Sequence, residues 1–348
     1  MTTAPRTLFL ADAGPEVGGG HVMRCLTLAR VLVERGAECA FVESRAAAPV
    51  LRRFGWPGQT LLAMIGAEDL QGLLTFAAGL ADRFDPQLIV VDHYGVGAEA
   101  EAQLRAPGRR VLAIDDLAVR RHDCDLLVDP GFGRRREAYE DLIPAHAAAL
   151  VGPTYALVRP EFAAARQRAL SRRAKHEPVR RALVALGLTD VGAITRRAVA
   201  ALLPQLGDVR LDVAIGAEAA SREALVRLAH NDRRIHLHVD TDEMASLMAD
   251  ADVAVGAGGS STWERATVGL PSITVVLADN QRDVAQQMGA AGLSLALDAA
   301  QPDFERQLVQ TWRELAADPA LRWRLASSSS DACDGHGGPR VADAVAEL

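Results

Sequence analysis

Short apolar runs alternate along this chain with longer stretches whose apolar residues recur every three to four positions. The alternation runs through two successive halves. In the first half, runs at 8–11, 38–43, 61–65, 88–92, 110–114 and 125–128 predict buried strands. The spacing of Val22, Cys25, Leu26, Leu28, Ala29, Leu32 and Val33 predicts a helix over 21–34, closed by Gly36. Further helices are predicted at 70–83 and 98–105. Residues 161–175 read as a basic, solvated connecting helix (Arg166, Arg168, Arg172, Arg173, Lys175). Residues 175–181, with Pro178 and few apolar side chains, read as a linker. The pattern then restarts, with strands at 182–186, 209–215, 235–239, 253–255 and 272–277. Helices fall at 191–203, 221–229, 242–248, 263–268, 283–290 and 303–316, and a last one at 341–347. The serines at 327–330 read as a helix end. Strands alternating with helices predict parallel sheets covered on both faces. The expected fold class is therefore α/β: two Rossmann-like domains, 1–175 and 180–335, facing a central cleft, and a C-terminal helix in 336–348.

Composition narrows the partners. A length of 348 residues suits two domains. The net charge of −7 argues against a nucleic-acid-binding face or a polybasic membrane patch, without excluding a local anion site. No apolar run approaches the ~20 residues of a membrane span. Cys25, Cys39, Cys124 and Cys333 are dispersed, without a CxxC, as expected of a reduced cytoplasmic protein. The low charge offers no obstacle to a monomer, and no cofactor or metal is implied.

The chemistry gathers where strands end. Asp12 follows the first strand, Asp92-His93-Tyr94 the fourth and Asp115-Asp116 the fifth, all at the carboxyl edge where ligands of such sheets lie. Gly18-Gly19-Gly20-His21 opens the first helix. Its glycines let a ligand approach the backbone at a helix N-terminus that favours anions. His21 stands at the rim of that site and can take a proton near neutral pH. A glycine run before a helix is common, and this one is neither GxGxxG nor a P-loop. A second run, Gly258-Gly259-Ser260-Ser261-Thr262, also precedes a helix and offers amides and hydroxyls to an oxyanion. Glu264, in the first turn, suits a ribose diol, or else only complements the helix dipole. Asn280 and Gln281 offer donors and acceptors to sugar hydroxyl or amide groups, with Asp279 a candidate helix cap. Asp123 and Asp125 form a literal DxD. It precedes a strand instead of following one, so it is rejected as a metal–diphosphate site. His236 and His238 alternate on one strand, but they are expected to lack nearby carboxylates or thiolates and so to hold no zinc.

Seven segments together, at 18–29, 91–95, 114–118, 122–129, 155–162, 256–265 and 269–281, closely resemble the PseG family, nearly end to end and in the same order. That family comprises UDP-2,4-diacetamido-2,4,6-trideoxy-β-L-altropyranose hydrolases of pseudaminic acid biosynthesis. The resemblance implies a GT-B fold like that of MurG, with UDP held mainly by the C-terminal domain. It implies that His21 is the catalytic base and that the 258–262 loop takes the diphosphate. Glu264 would take the ribose, and Asn280 and Gln281 would lie near the sugar. Gly19, Gly20, Arg24, Asp92, His93, Tyr94, Arg159, Gly187 and Asp190 complete the expected substrate contacts. One departure stands out: Gly187-Leu188-Thr189-Asp190 replaces the expected Gly-Gly-Ser-Asp, so Leu188 adds a side chain beside the nucleotide site. Two other readings use the same residues, a UDP-sugar-dependent glycosyltransferase and a non-catalytic nucleotide-sugar-binding protein.

Overall fold

The computed structural model describes residues 6–14, 17–64 and 69–348. The chain forms two compact units, Met1–Leu157 with His336–Leu348, and Val158–Gly335. In the first, strands β1 (Thr7–Ala11), β2 (Cys39–Glu43), β3 (Thr60–Ala63), β4 (Leu88–Asp92), β5 (Arg110–Ile114), β6 (Leu126–Asp129) and β7 (Ala148–Val151) form one parallel sheet in the order β3-β2-β1-β4-β5-β6-β7. Helices α1 (Gly20–Glu34), α2 (Ala48–Phe54), α3 (Leu70–Phe84) and α4 (Ala98–Leu104) connect the early strands.

The side-chain alternation of a strand explains the layering. From β1, Phe9 and Ala11 join one core with α1 and the C-terminal helix, Gly337–Ala346. Leu8 and Leu10 join the other core, with Leu73, Ala77 and Leu80 of α3. Both faces of β1 are thus buried, and its sequence is accordingly a continuous apolar run. Val341, Ala342 and Val345 extend the α1 core, so the C-terminal helix is part of the first unit. The last turn of α1 closes with Gly36 N–H on Val33 O (2.9 Å) and Ala37 N–H on Leu32 O (2.9 Å), a Schellman motif. Connections run one way from β1 through β2 to β3, then return to β4 on the other side of β1, whose Ala11 lies in register with Asp92. The strand order reverses there, which opens a crevice at the carboxyl ends of β1 and β4.

The second unit repeats the design. Strands β8 (Arg181–Ala185), β9 (Arg210–Ile215), β10 (Ile235–Val239), β11 (Val253–Ala257), β12 (Ser272–Val276) and β13 (Leu295–Asp298) form a parallel sheet in the order β10-β9-β8-β11-β12-β13. Its helices are α5 (Pro160–Arg173), α6 (Ile194–Leu202), α7 (Arg222–Asn231), α8 (Met244–Asp250), α9 (Ser261–Thr267), α10 (Arg282–Ala290), α11 (Phe304–Ala317) and α12 (Pro319–Ala332). The order reverses between β8 and β11, so the loops after these strands, 187–190 and 258–260, flank its crevice.

Several expectations need correction. The boundary falls between Leu157 and Val158, not at 175–181. The reason is α5, which is not a solvated connector. Arg173 is buried and donates to Val268 O (2.7 Å) and Met248 O (2.7 Å), while Arg166 donates to Thr267 O (2.7 Å) and Ser330 O (2.8 Å). These guanidiniums satisfy carbonyls at the ends of α8, α9 and α12, and that ties α5 to the second unit. Strands β7 and β13 and helix α2 were not expected, the serines read as a helix end lie inside the last turns of α12, and the strand predicted at 61–65 ends at Ala63. Its last predicted residue, Ile65, lies outside the described residues.

Candidate active site

In the first unit, α1 begins at Gly20 without a side-chain cap, so the amides of its first turn are left for other acceptors. Ahead of it the loop is drawn closed by Gly18 N–H on Gly14 O (2.7 Å). His21, in that first turn, is only 5% exposed. Its Nδ1 is buried and has no hydrogen-bond partner among the described residues. Its Nε2 lies 3.9 Å from Asp92 Oδ1, beyond hydrogen-bond reach. The ring meets Tyr94 edge-on, with centroids 4.5 Å apart. Burial pushes its pKa down, and Arg24 adds to this; Asp92, Asp116 and Asp12 pull the other way without prevailing. His21 is therefore a neutral imidazole with an uncommitted lone pair, the state a general base requires.

A rigid polar frame surrounds it. Arg24 Nε and Nη2 grip the two oxygens of Asp92 at 2.5 and 2.6 Å, and Nη1 reaches Asp116 at 2.8 Å. Asp116 also accepts from Tyr94 Oη (3.0 Å), and the Tyr94 amide donates to Asp12 (3.3 Å). His93 Nδ1 accepts from Gly95 N–H (3.0 Å), which turns Nε2 toward Asp12 at 3.7 Å. Asp12 and His93 also line a cavity of about 420 Å³ with Ser44, Met64, Leu70 and Leu73 at the carboxyl ends of β1–β4. Arg24 and Asp92, expected as substrate contacts, are buried and bonded to each other. Asp116, expected with Asp115 at the carboxyl edge after β5, follows that strand beside β4 and meets both Arg24 and Tyr94.

In the second unit, the serine-bearing turn joins β11 to α9. Thr262 Oγ1 donates back to Ala257 O (3.2 Å), and Gly258 N–H pairs with Val275 O (3.0 Å). The amides of Gly259, Ser260 and Ser261 have no acceptor among the described residues. Three adjacent donors at a helix start form an anion cradle. Gln281 covers the turn: its Oε1 accepts Leu277 N–H (3.0 Å), and a Cβ on Gly258 would sit 3.2 Å from its side chain. Asn280 precedes it in a single 3-10 turn, while Asp279 pairs with Arg282 (2.9 Å) and does not cap α10.

Two arginines brace the turn. Arg265 was not foreseen, because nothing in the sequence marks a buried cation. Its Nη2 donates to Ala257 O (2.9 Å) and Thr262 Oγ1 (3.1 Å), its Nη1 to Ser261 Oγ (3.1 Å), and burial pushes its pKa down to about 10. A Cβ on Gly256 would lie 2.4 Å from Arg265 Nη1, so a larger residue there must displace this buried, hydrogen-bonded guanidinium. Arg159, expected to meet substrate, donates to Glu264 Oε1 (2.8 Å); burial opposes its charge, but Glu264 raises its pKa. Glu264 is thus aimed by a partner, with its second oxygen available. Gly187 adopts φ +100 after β8, while Asp190 is buried, both oxygens taken by Thr195 N–H (2.8 Å) and Ser221 N–H (2.9 Å). Asp190, expected as a substrate contact, thereby fixes this loop against α6 and the start of α7.

The remaining candidates are structural. Asp123 and Asp125 pair with Arg105 at 2.8 and 3.1 Å. His238 does have a carboxylate nearby, Asp212 at 2.7 Å, but Arg181 and Arg210 occupy the same group.

Comparison with known proteins gives this geometry a context. Residues 197–333 match the glycosyltransferase family 28 C-terminal domain. The chain is 23% identical over 288 residues to the UDP-2,4-diacetamido-2,4,6-trideoxy-beta-L-altropyranose hydrolase of Campylobacter jejuni, covering 82% of this chain and 97% of that one. It is 26% identical over 344 residues to the spore coat polysaccharide biosynthesis protein SpsG of Bacillus subtilis, covering 98% and 97%. Among solved structures, MurG of Acinetobacter baumannii superposes with a TM-score of 0.65 at 16% identity, covering 99% of this chain and 100% of that one. A UDP-GlcNAc 2-epimerase from Neisseria meningitidis, bound to UDP-GlcNAc, gives 0.67 at 12% identity, covering 98% and 99%. Two parallel-sheet Rossmann-like units and these relatives define an enzyme of the GT-B, nucleotide-sugar-processing class. Within that class the chain's motifs resemble those of the PseG family, and the Campylobacter hydrolase is similar to it over most of both chains.

Proposed function

We propose that this protein hydrolyses a UDP-linked 2,4-diacetamido-2,4,6-trideoxy sugar to UDP and the free sugar, in pseudaminic acid (nonulosonate) biosynthesis. The observation that carries the reading is His21: buried, neutral and with no hydrogen-bond partner for Nδ1 among the described residues, it suits removal of a proton from water. The diphosphate leaving group is met by the amides of Gly259, Ser260 and Ser261, whose dipoles stabilise the charge that develops as the anomeric bond breaks. Glu264, aimed by Arg159, accepts from the ribose hydroxyls. Asn280 and Gln281 contact the sugar, and Gly19 and Gly20 allow it close to the α1 amides. Water attacks opposite the UDP and the anomeric centre inverts. The similarity to the Campylobacter hydrolase supports this choice of substrate.

A second reading, glycosyl transfer, is favoured by the cavity of about 420 Å³ beside Asp12 and His93, which is large enough for an acceptor. Proton NMR of the purified protein with the UDP-linked altrose derivative separates the two. Hydrolysis gives UDP and an inverted sugar with no acceptor present, and transfer gives neither until an acceptor is added. His21→Ala lowers turnover by about 10²–10⁴-fold while leaving UDP affinity unchanged. Near-normal turnover in that variant refutes His21 as the base.

A further inference from the structure

Charged and polar groups from several elements face His21. Asp12 follows β1, Asp92 ends β4 and Tyr94 follows it, Asp116 follows β5, and Arg24 lies on its own helix. Three of these groups are carboxylates, and carboxylates near an imidazole favour its charged form, which cannot act as a base. Arg24 is the cation among them. It stands one helical turn after His21, on the same face of α1. Each of its three guanidinium nitrogens donates to a carboxylate oxygen: two to Asp92, the nearest carboxylate to the ring, and one to Asp116.

We propose that Arg24 is a positioning residue whose guanidinium, clamped across Asp92 and Asp116, offsets the pull of these carboxylates on the buried His21 imidazole and touches no substrate. The assignment rests on His21 being the base of the proposed hydrolysis. A buried bidentate pair contributes little stability compared with apolar side chains of similar volume. Its placement beside the histidine is explained instead by what it does to the ring. The Cys25 thiol donates to the same Asp92 (3.7 Å) and stays protonated, so it adds no charge.

Two substitutions with opposite expected signs test this. Arg24→Met removes the cation, and the ring titration of His21, followed by 15N-edited NMR, moves up by about one to two pH units. Asp92→Asn leaves Arg24 in place, paired with Asp116, and moves it down. If Arg24→Met does not fold, Asp92→Asn and the milder Arg24→Lys still decide the matter, because lysine keeps the charge and leaves the titration within about half a pH unit. The acid limb of the kcat/KM profile follows the same directions, and KM and UDP affinity stay within about twofold. A shifted ring titration with an unmoved pH–rate profile supports the role of Arg24 and counts against His21 as the base. An unmoved titration in Asp92→Asn and Arg24→Met overturns the proposal. A pH-independent rise in KM with weaker UDP binding also overturns it, because Arg24 is then a substrate ligand.

Discussion

The first unit holds a buried charge cluster, apart from His21, that makes its stability depend on pH in a calculable way. His122 Nδ1 meets Glu101 Oε1 at 2.7 Å, and Nε2 lies 3.8 Å from Asp115 Oδ1, with all three side chains 1% exposed or less. Burial alone lowers the imidazole pKa, but Asp115 and Glu101 outweigh it and raise the value to about 9. The unfolded chain releases this proton near pH 6.5. The stabilisation is therefore complete below pH 6.5 and is lost as the pH rises through 9. At about 1.4 kcal/mol per pH unit, the interval is worth about 3 kcal/mol. Other shifted groups act mostly outside this window. Asp129, raised to about 6 by burial, completes its change below it. His21 and His93, shifted downward by burial, matter as the pH falls below 6.5. The buried thiols Cys25, Cys39 and Cys124, all shifted upward, add about 1 kcal/mol of loss only as pH 9 is reached. The assay is guanidinium unfolding at pH 6.5, 7.5 and 9, followed by the 19F signal of 5-fluorotryptophan at Trp56, which packs against Phe41 in this unit. Wild-type protein loses stability across the series. In Glu101→Gln/His122→Gln, which replaces the ion pair by two neutral amides, only the thiol part remains. A flat wild-type series, or a double variant that declines as steeply, refutes the reasoning.

Two further outcomes concern the second unit. Gly256→Ala drives a methyl into the buried Arg265 guanidinium, so that unit loses about 1–3 kcal/mol, as in other overpacked cores, and UDP affinity falls in calorimetry. Asp190→Ala leaves the Thr195 and Ser221 amides without their acceptor, at about 1–3 kcal/mol each, and weakens UDP binding. Asn at 190 keeps one acceptor and tolerates the left-handed backbone (φ +49), so its thermal melt falls between Ala and wild type.

Much of this architecture was written in local patterning. The strand at 88–92 and the helix near 21–34 follow from continuous apolar runs and helical spacing, because a parallel strand is buried on both faces and a helix on one. The position of the two glycine-containing turns was legible for a similar reason, because each follows a strand's apolar run and precedes a helix's apolar spacing. Tertiary structure decided which charged residues face solvent. The arginines of α5 read as a solvated stripe, yet Arg166 and Arg173 cap the ends of other helices, and no sequence window contains those carbonyls. Likewise Arg24, Asp92 and Asp190 have the composition of ligands, but folding brings each a protein partner from 5 to 92 positions away. Periodicity fixes which face of an element is buried; the pairing of charges depends on which elements meet, and the chain acquires that information only on folding.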